Sequence, residues 1–240
     1  MSLDILITVA ITSFIQSVFG VGVLLFGTPL LMLQGHDFLQ SVIVLLPISL
    51  LINLFQVAKD HKEVDLDFCK KVLIYTVPFI VIFLFFVTKV TINIGLVIGV
   101  LLLFVALKDV YARANSVVNF VIQYQKSYFI VMGIVHGLTN LGGSLLTAVV
   151  HGKGYEKRVT RVTVAASYAT FAVFQIVALV VAGLSIDTKL SEIGLYLGVG
   201  VLVFVATERL IYADINTETY RRFFAVFLFA TGALLCAKSI

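Results

Sequence analysis

The sequence predicts an all-α, polytopic membrane protein, and three observations lead to this prediction. Of the 240 residues, 60% are hydrophobic and 12% are charged, whereas about a quarter of the residues in a soluble domain are charged. Apolar runs recur along the chain at about the 20 residues that a helix needs to cross a bilayer. These runs are continuous rather than alternating, which argues against a transmembrane barrel.

The apolar segments form two sets in chain order. Each set opens with a glycine-broken segment that we expect to be a helical hairpin, and three transmembrane helices follow. The first set is Leu3–Phe19 with Val21–Leu33, then Val42–Ala58, Val72–Val87 and Ile94–Leu107; the second is Ser127–Thr139 with Ser144–Val150, then Val162–Gly183, Ile193–Tyr212 and Phe223–Ala237. Residues 1–107 are therefore predicted as membrane repeat 1 and residues 127–240 as membrane repeat 2. Residues 108–126 are a cytoplasmic or interfacial linker, which forms an interfacial helix or lengthens the preceding span.

An internal repeat is also visible in the residues. With an offset of 119 positions, Gly35–Asp37 aligns with Gly154–Glu156, and Phe55-Gln56 aligns with Phe174-Gln175. The order of elements repeats as well, which is what a duplicated unit predicts.

The distribution of basic residues separates two interpretations of the broken segments. If each is a hairpin, 14 Lys and Arg residues lie on one side of the membrane and three on the other; if each is a single span, the division is nine and eight. Cytoplasmic loops carry an excess of Lys and Arg, so the sequence favours hairpins. Both termini are then outside, and the two repeats are inverted, with the first hairpin entering from outside and the second from the cytoplasm. Inverted repeats with broken helices near the midplane recur in transporters.

The broken tips offer chemistry suited to a small anion. The returning arms begin near Val21–Leu25 and Gly143–Leu146, and a helix N-terminus presents N–H donors and the positive end of the dipole. We expect Pro29 in the first turn of its returning helix, where proline is tolerated. Polar side chains and glycines around the tips and on the next spans complete the candidate site. The candidates are Gln16, Ser17, Gly20, Gly22, Gly27, Pro29, Asn53, Gln56, His136, Thr139, Asn140, Gly142, Gly143, Ser144 and Gln175, with Thr28 nearby.

Other roles for these residues stay open. Glycines in membrane helices also permit close helix packing, and buried amides also bond between helices. His136 is either a proton switch or a structural hydrogen-bonding group. Arg158 and Arg161 either gather anions or act as ordinary positive-inside anchors.

Catalytic signals are absent, so we do not expect an enzyme. The chain has no phosphate loop, nucleotide fingerprint or metal spacing, and Cys69 and Cys236 do not form a disulfide framework. No cofactor and no metal are expected. The first segment lacks a basic n-region, and we expect it to be retained.

Two motifs carry a resemblance to a known family. FGVGVLLFGTPLLMLQG spans Phe19–Gly35, and HGLTNLGGSLLTAVVHGKGYEKRVTRVT spans His136–Thr163. With the size and the two glycine-opened halves, the whole chain resembles the sulfite exporter TauE/SafE family of small membrane permeases. The first motif reads GVGV where that family often has a run of glycines, and Ala148 stands where a proline is expected.

The resemblance implies a bacterial inner-membrane protein that moves sulfite, sulfoacetate or related organosulfur anions, often outward. The implied site is Gly20, Gly22, Gly27 and Pro29 with Asn140, Gly142, Gly143 and Ser144.

We therefore expect an exporter of sulfite or a related organosulfur anion, which binds between two opposed hairpin tips near the bilayer midplane. The alternatives are a passive channel or pore for a small anion or neutral solute, and a non-transporting assembly factor. Expected partners are the small anionic substrate, membrane lipids, a coupling ion that is either a proton or sodium, and a second copy of the chain in a homodimer. Nucleic acid is not expected, because the net charge of +4 is accounted for by basic cytoplasmic loops.

Overall fold

The computed structural model describes residues 2–90, 93–107, 124–184, 190–211 and 217–239, and the regular elements in these ranges are all helical. The helices are α1 (Leu3–Phe19), α2 (Val23–Leu33), α3 (Phe38–Asp60), α4 (Leu66–Tyr75), α5 (Val77–Lys89), α6 (Ile94–Leu107), α7 (Gln125–Thr139), α8 (Gly143–His151), α9 (Lys157–Val181), α10 (Leu190–Ile211) and α11 (Thr217–Ser239), with a 3-10 turn at His61–Glu63. Most of the predicted linker, residues 108–123, lies outside the described residues.

Length and composition identify a multi-pass membrane protein. Within the described ranges, four helical segments are long and apolar enough to cross a bilayer: Phe38–Glu63, Leu66–Lys89, Lys157–Val181 and Ser191–Glu208. Shorter apolar helices accompany them at Leu3–Phe19, Val23–Leu33, Ile94–Leu107 and Ala225–Ser239. The bundle also exposes large apolar side chains, among them Leu202 and Val226. The predicted all-α, membrane-spanning class is confirmed.

Capping residues set helix boundaries that apolar runs alone do not show. The predicted span at Val42 begins earlier in the structure, at Phe38, because the Asp37 carboxylate accepts a hydrogen bond from the Leu39 N–H at 2.9 Å. An acceptor at this position satisfies a free N–H of the first turn. The helix therefore extends past the apolar run into its polar flank.

The predicted span Val72–Val87 is longer than expected and is divided in two. It begins at Leu66, where the Asp65 carboxylate caps α4 by accepting from the Phe68 N–H at 2.9 Å. The helix is interrupted at Thr76, two residues before Pro78, which lies in the first turn of α5. A proline is tolerated in a first turn because it has no N–H to leave unpaired there.

The helices α1 and α2 form a hairpin whose two open ends meet. The His36 ring lies 2.6 Å from the Asp4 carboxylate, and the Gln34 amide donates to the Thr8 hydroxyl at 3.1 Å. We call this end of the bundle the N-terminal end. Lys238 lies here too, donating to the Leu33 carbonyl at the end of α2 at 3.1 Å.

The opposite end of the bundle, which we call the basic end, gathers the loops after α3 and α8 and the end of α10. Arg158 pairs with Asp60, and the Tyr155 hydroxyl donates to the Asp65 carboxylate. Burial and this hydrogen bond raise the pKa of Tyr155 to about 12. The contacts hold the two loops side by side.

Helix pairs pack closely through small residues. The pair α6–α11 meets at Gly99 and Gly232, where a β-carbon on either would lie 2.9 Å from the carbonyl oxygen of the other. Gly133 and Gly137 of α7 lie against backbone carbonyls of Thr76 and α5 in the same way. In the centre, α3 packs against α9. Helix α10 packs against α1 and α3, and α5 packs against α7 and α9.

Candidate substrate site at the hairpin turns

The turns of the two hairpins are built alike. Helix α1 ends at Gly20 with φ +77°, and its N–H donates to the Gln16 carbonyl at 2.8 Å. Helix α7 ends at Asn140 with φ +62°, and its N–H donates to the His136 carbonyl at 2.8 Å. Glycine and asparagine are the residues that adopt this left-handed conformation most readily. The turns correspond at an offset of 120 positions, one more than the offset of the later helices.

Gly22 and Gly142 let each returning arm lie directly on its outgoing arm. A β-carbon at Gly22 would lie 2.5 Å from the Thr12 carbonyl oxygen, and one at Gly142 would lie 2.9 Å from the Met132 carbonyl oxygen. At Gly142 it would also lie 2.5 Å from the β-carbon of His136. Both glycines are thus required by the hairpin itself.

Gly27 and Pro29 lie further along α2 than the turn. A β-carbon at Gly27 would meet the Leu45 side chain of α3 at 2.8 Å, so this glycine permits helix packing. The prediction that Pro29 lies in the first turn of the returning helix is wrong, because α2 begins at Val23 and Pro29 is its seventh residue. The helix begins within the predicted Val21–Leu25, where the Gln16 side chain accepts from the Val23 N–H at 3.0 Å.

Gln16, Asn53 and Gln56, all buried, form the first polar cluster. Gln16 donates to the Asn53 side-chain oxygen at 3.1 Å. With the Gln56 amide oriented so that its neighbours satisfy both of its polar atoms, its nitrogen donates to the same oxygen at 3.1 Å and its oxygen accepts from two nitrogens of Arg161 at 3.3 Å. The cluster therefore connects the start of α2 to a guanidinium group at the basic end.

Arg161 lies over the first turn. Its γ-carbon is 3.3 Å from the position of a β-carbon on Gly20. The guanidinium lies 2.9 Å from Glu208, which Lys59 also approaches at 3.3 Å. Arg161 and Glu208 are 11% and 12% exposed, whereas Arg158 is 61% exposed beside Asp60. Both arginines named from the sequence are thus paired with carboxylates, and only Arg161 is largely buried.

His136, Asn140 and Gln175 form the second polar cluster, and all three are fully buried. His136 Nε2 lies 3.1 Å from Gln175 Oε1, and the Gln175 amide donates to the Asn140 side-chain oxygen at 3.2 Å. Asn140 in turn donates to the hydroxyl of Thr28 at 3.0 Å. This last bond joins the second turn to α2, the returning arm of the first hairpin.

Three other candidates are not brought into either cluster. Ser17 accepts from Thr207 of α10 at 2.6 Å. The hydroxyls of Thr139 and Ser144 donate to backbone carbonyls of their own hairpin, at 2.6 and 3.0 Å. Thr139 and Ser144 are thus satisfied within their own hairpin, and Ser17 connects the first hairpin to α10.

Two residues beside the second cluster were missed from the sequence. The rings of Phe171 and Tyr168 lie 4.8 and 6.1 Å from the ring of His136, measured between centroids. The Tyr168 hydroxyl occupies the space that a β-carbon on Gly143 would need. Tyr168, Phe171 and Gln175 are spaced i, i+3, i+7, which places them on one helix face. This spacing would have identified Tyr168 and Phe171 from the sequence as neighbours of Gln175.

Comparison with known proteins identifies the family. The profile described as Sulfite exporter TauE/SafE matches residues 5–235, nearly the whole chain. No curated protein and no solved structure matches the chain. The match spans both hairpins, both polar clusters and the helices that hold them. The chain therefore belongs to the sulfite exporter TauE/SafE family of membrane permeases.

Proposed function

We propose that this permease exports a small anion, sulfite or a related organosulfur anion, which binds where the two hairpins meet. The observation that carries the proposal is the buried bond from Asn140 to Thr28, 3.0 Å long. It shows that the turn of one hairpin contacts the returning arm of the other. A ligand held there touches both hairpins, so their relative movement can change the side from which it is reached.

The chemistry of the two polar clusters supports an anion. Polar groups deep in a membrane protein are costly unless they are paired or serve a ligand. The clusters consist of amides, a hydroxyl and an imidazole, all buried in a bundle that exposes large apolar side chains. Amide and backbone N–H groups are donors suited to oxyanion oxygens.

We further propose that the two halves are inverted repeats. Exchanging one half for the other maps α1–α10 packing onto α7–α5 packing, and α3–α10 packing onto α9–α5 packing. The pairs α3–α9 and α6–α11 map onto themselves. The matching turns at Gly20 and Asn140 support the same interpretation. A two-fold relation of this kind is typical of transporters with broken helices.

The proposed orientation places the basic end in the cytoplasm and both termini outside, in a bacterial inner membrane. The contacts of Arg158 with Asp60 and of Tyr155 with Asp65 support it, because they hold the loops after α3 and α8 at one end. That is the arrangement under which 14 of the 17 basic residues share one side.

Cysteine labelling tests this orientation. In a chain with Cys69 and Cys236 replaced by serine, Asp37→Cys and Glu156→Cys place thiols at two exposed, corresponding positions. We expect a membrane-impermeant maleimide to label the first in intact cells and the second only after permeabilisation. Labelling of both thiols from one side would contradict the inverted arrangement.

Transport in proteoliposomes tests the function. We expect the purified protein to carry labelled sulfite, and Asn140→Gly to lower the initial rate about tenfold or more. The variant removes two buried hydrogen bonds, which contribute roughly 1 kcal/mol each. Glycine keeps the left-handed backbone of the turn, as at Gly20, so the fold should survive.

Gly198→Ala is the matched control, because nothing lies within 4 Å of a β-carbon there.

Flux that runs only downhill and ignores every imposed ion gradient would identify a passive pore. Absence of flux, together with no anion that raises the melting temperature, would identify a non-transporting membrane factor and overturn the proposal.

A further inference from the structure

The second polar cluster uses only one of the two ring nitrogens of His136. The Gln175 amide nitrogen donates to Asn140, so its oxygen, 3.1 Å from His136 Nε2, is the acceptor. Nε2 therefore carries the proton and Nδ1 is an acceptor. Nδ1 is completely buried and has no hydrogen-bond partner among the residues that the structure describes. A buried acceptor without a donor is costly and calls for an explanation.

The second turn places the imidazole near the start of α8. The His136 β-carbon packs on Gly142, and Tyr168, whose ring lies 6.1 Å from the imidazole, reaches Gly143 with its hydroxyl, so the imidazole and the first turn of α8 share the same neighbours. Gly142 is the residue before α8, a helix of nine residues. The first N–H groups of α8 and the positive end of its dipole begin there. An anion held between the imidazole and α8 would accept from N–H groups of the helix start and face the lone pair of Nδ1.

Such a site discriminates between anions by their protons. An oxyanion with only acceptor oxygens would set a lone pair against the lone pair of Nδ1. An oxyanion with one O–H group would instead donate to Nδ1 while its other oxygens accept from α8. The same hydrogen bond forms if the proton is on Nδ1 and the anion is fully deprotonated.

We propose, on the basis of the proposed function, that this site takes up an oxyanion together with one proton, held between an anion oxygen and His136 Nδ1. Hydrogen sulfite brings that proton with it. Sulfite dianion needs one proton from solution, which ends on the anion oxygen or on Nδ1. In both cases the loaded site contains one negative charge. The preferred substrate class is a monoprotonated oxyanion, and a sulfonate monoanion without an O–H group binds more weakly.

Few titratable groups face the His136 ring. Tyr168 of α9 is the titratable side chain that the structure places against it, with 6.1 Å between ring centroids. Phe171 and Gln175 of the same helix, neither of them titratable, also contact the ring, and Gly142 lies against the His136 β-carbon. A proton taken up on binding is therefore assigned to His136 and the anion, with Tyr168 as the alternative to eliminate.

Calorimetric titration of the full-length protein in detergent measures this proton. Sulfite is titrated under argon at about pH 6 and about pH 8, in buffers of different ionisation enthalpy, and the dependence of the heat on the buffer gives the protons taken up. We expect close to one proton per anion at the higher pH, and an uptake that falls towards zero at the lower pH. Methanesulfonate, a monoanion without an O–H group, should bind about tenfold more weakly than hydrogen sulfite or worse.

His136→Gln is the decisive variant, because it puts into the second hairpin the residue that the first has at the corresponding position, Gln16. We expect it to fold, to lose the proton uptake, and to bind methanesulfonate and hydrogen sulfite within about threefold of each other, since a glutamine both donates and accepts. Tyr168→Phe and the exposed His61→Gln should retain the uptake.

The outcomes separate this inference from the proposed function. Sulfite binding without proton uptake at the higher pH, or uptake that survives His136→Gln or disappears in Tyr168→Phe, overturns the proton-sharing site while anion transport stands. Absence of both sulfite binding and vesicle flux overturns the two together.

Discussion

Gly22→Ala should destabilise the protein by about 3 kcal/mol, the upper end of the usual cost of overpacking. The new β-carbon would lie 2.5 Å from the Thr12 carbonyl oxygen and 2.6 Å from the Gln16 backbone nitrogen. These are backbone atoms of a helix and cannot rotate away. A thiol-reactive dye that reports exposure of the half-buried Cys69 and Cys236 would measure this as a melting temperature lowered by about 6–12 °C.

The control for this variant is Gly198→Ala, an open position on α10. Alanine has the higher helix propensity, so this change should be neutral or stabilising by up to about 1 kcal/mol. Gly142→Ala, at the corresponding place in the second hairpin, should behave like Gly22→Ala. A Gly22→Ala protein that melts within about 2 °C of the parent would show that the two arms of the hairpin are not in contact.

Arg161→Gln should cost about 3 kcal/mol, because it leaves the Glu208 carboxylate, 12% exposed, without its nearest cation. Lys59 remains at 3.3 Å but is itself 57% exposed, so it compensates little. The variant also removes the side chain that lies over Gly20 and the donors to Gln56. The same dye assay measures the loss.

Arg158→Gln is the matched comparison, since its partner Asp60 is as buried as Glu208, 12% exposed, whereas Arg158 itself is 61% exposed. Solvent screens the exposed guanidinium, so this change should cost less than Arg161→Gln, about 1 kcal/mol. Adding Glu208→Gln to Arg161→Gln should recover at least about 1 kcal/mol, because the unpaired carboxylate is then removed. Equal effects of the two arginine variants would contradict the burial of the Arg161–Glu208 pair.

The membrane class and the positions of both hairpin turns could be predicted because they depend on local sequence. A glycine run inside an apolar segment interrupts a helix wherever it occurs, and α1 and α7 end within that run in each half. The repeat also places Gln56 and Gln175 at corresponding positions, and each of them lies in one of the two polar clusters. These features need no knowledge of tertiary contacts.

The remaining features depend on contacts between distant segments. The cap of α2 could not be predicted, because the Val23 N–H bonds to the Gln16 side chain of the preceding helix. The position of Arg161 over Gly20 depends on how α9 is rotated against the first hairpin. The bond between Asn140 and Thr28 spans 112 residues. No local pattern contains this information.

The polar clusters have a consequence for energy coupling, because their side chains are amides, a hydroxyl and an imidazole rather than acids, lysines or arginines. The empty protein would then carry no net charge across the membrane when its hairpins change orientation. A membrane potential would act only on the loaded form, by about 2.3 kcal/mol per charge for each 100 mV. With the cytoplasm negative, an occupied site with one negative charge is driven outward and the empty site returns unopposed. Under the proposed export, the membrane potential would then add to the other driving forces that move the anion outward.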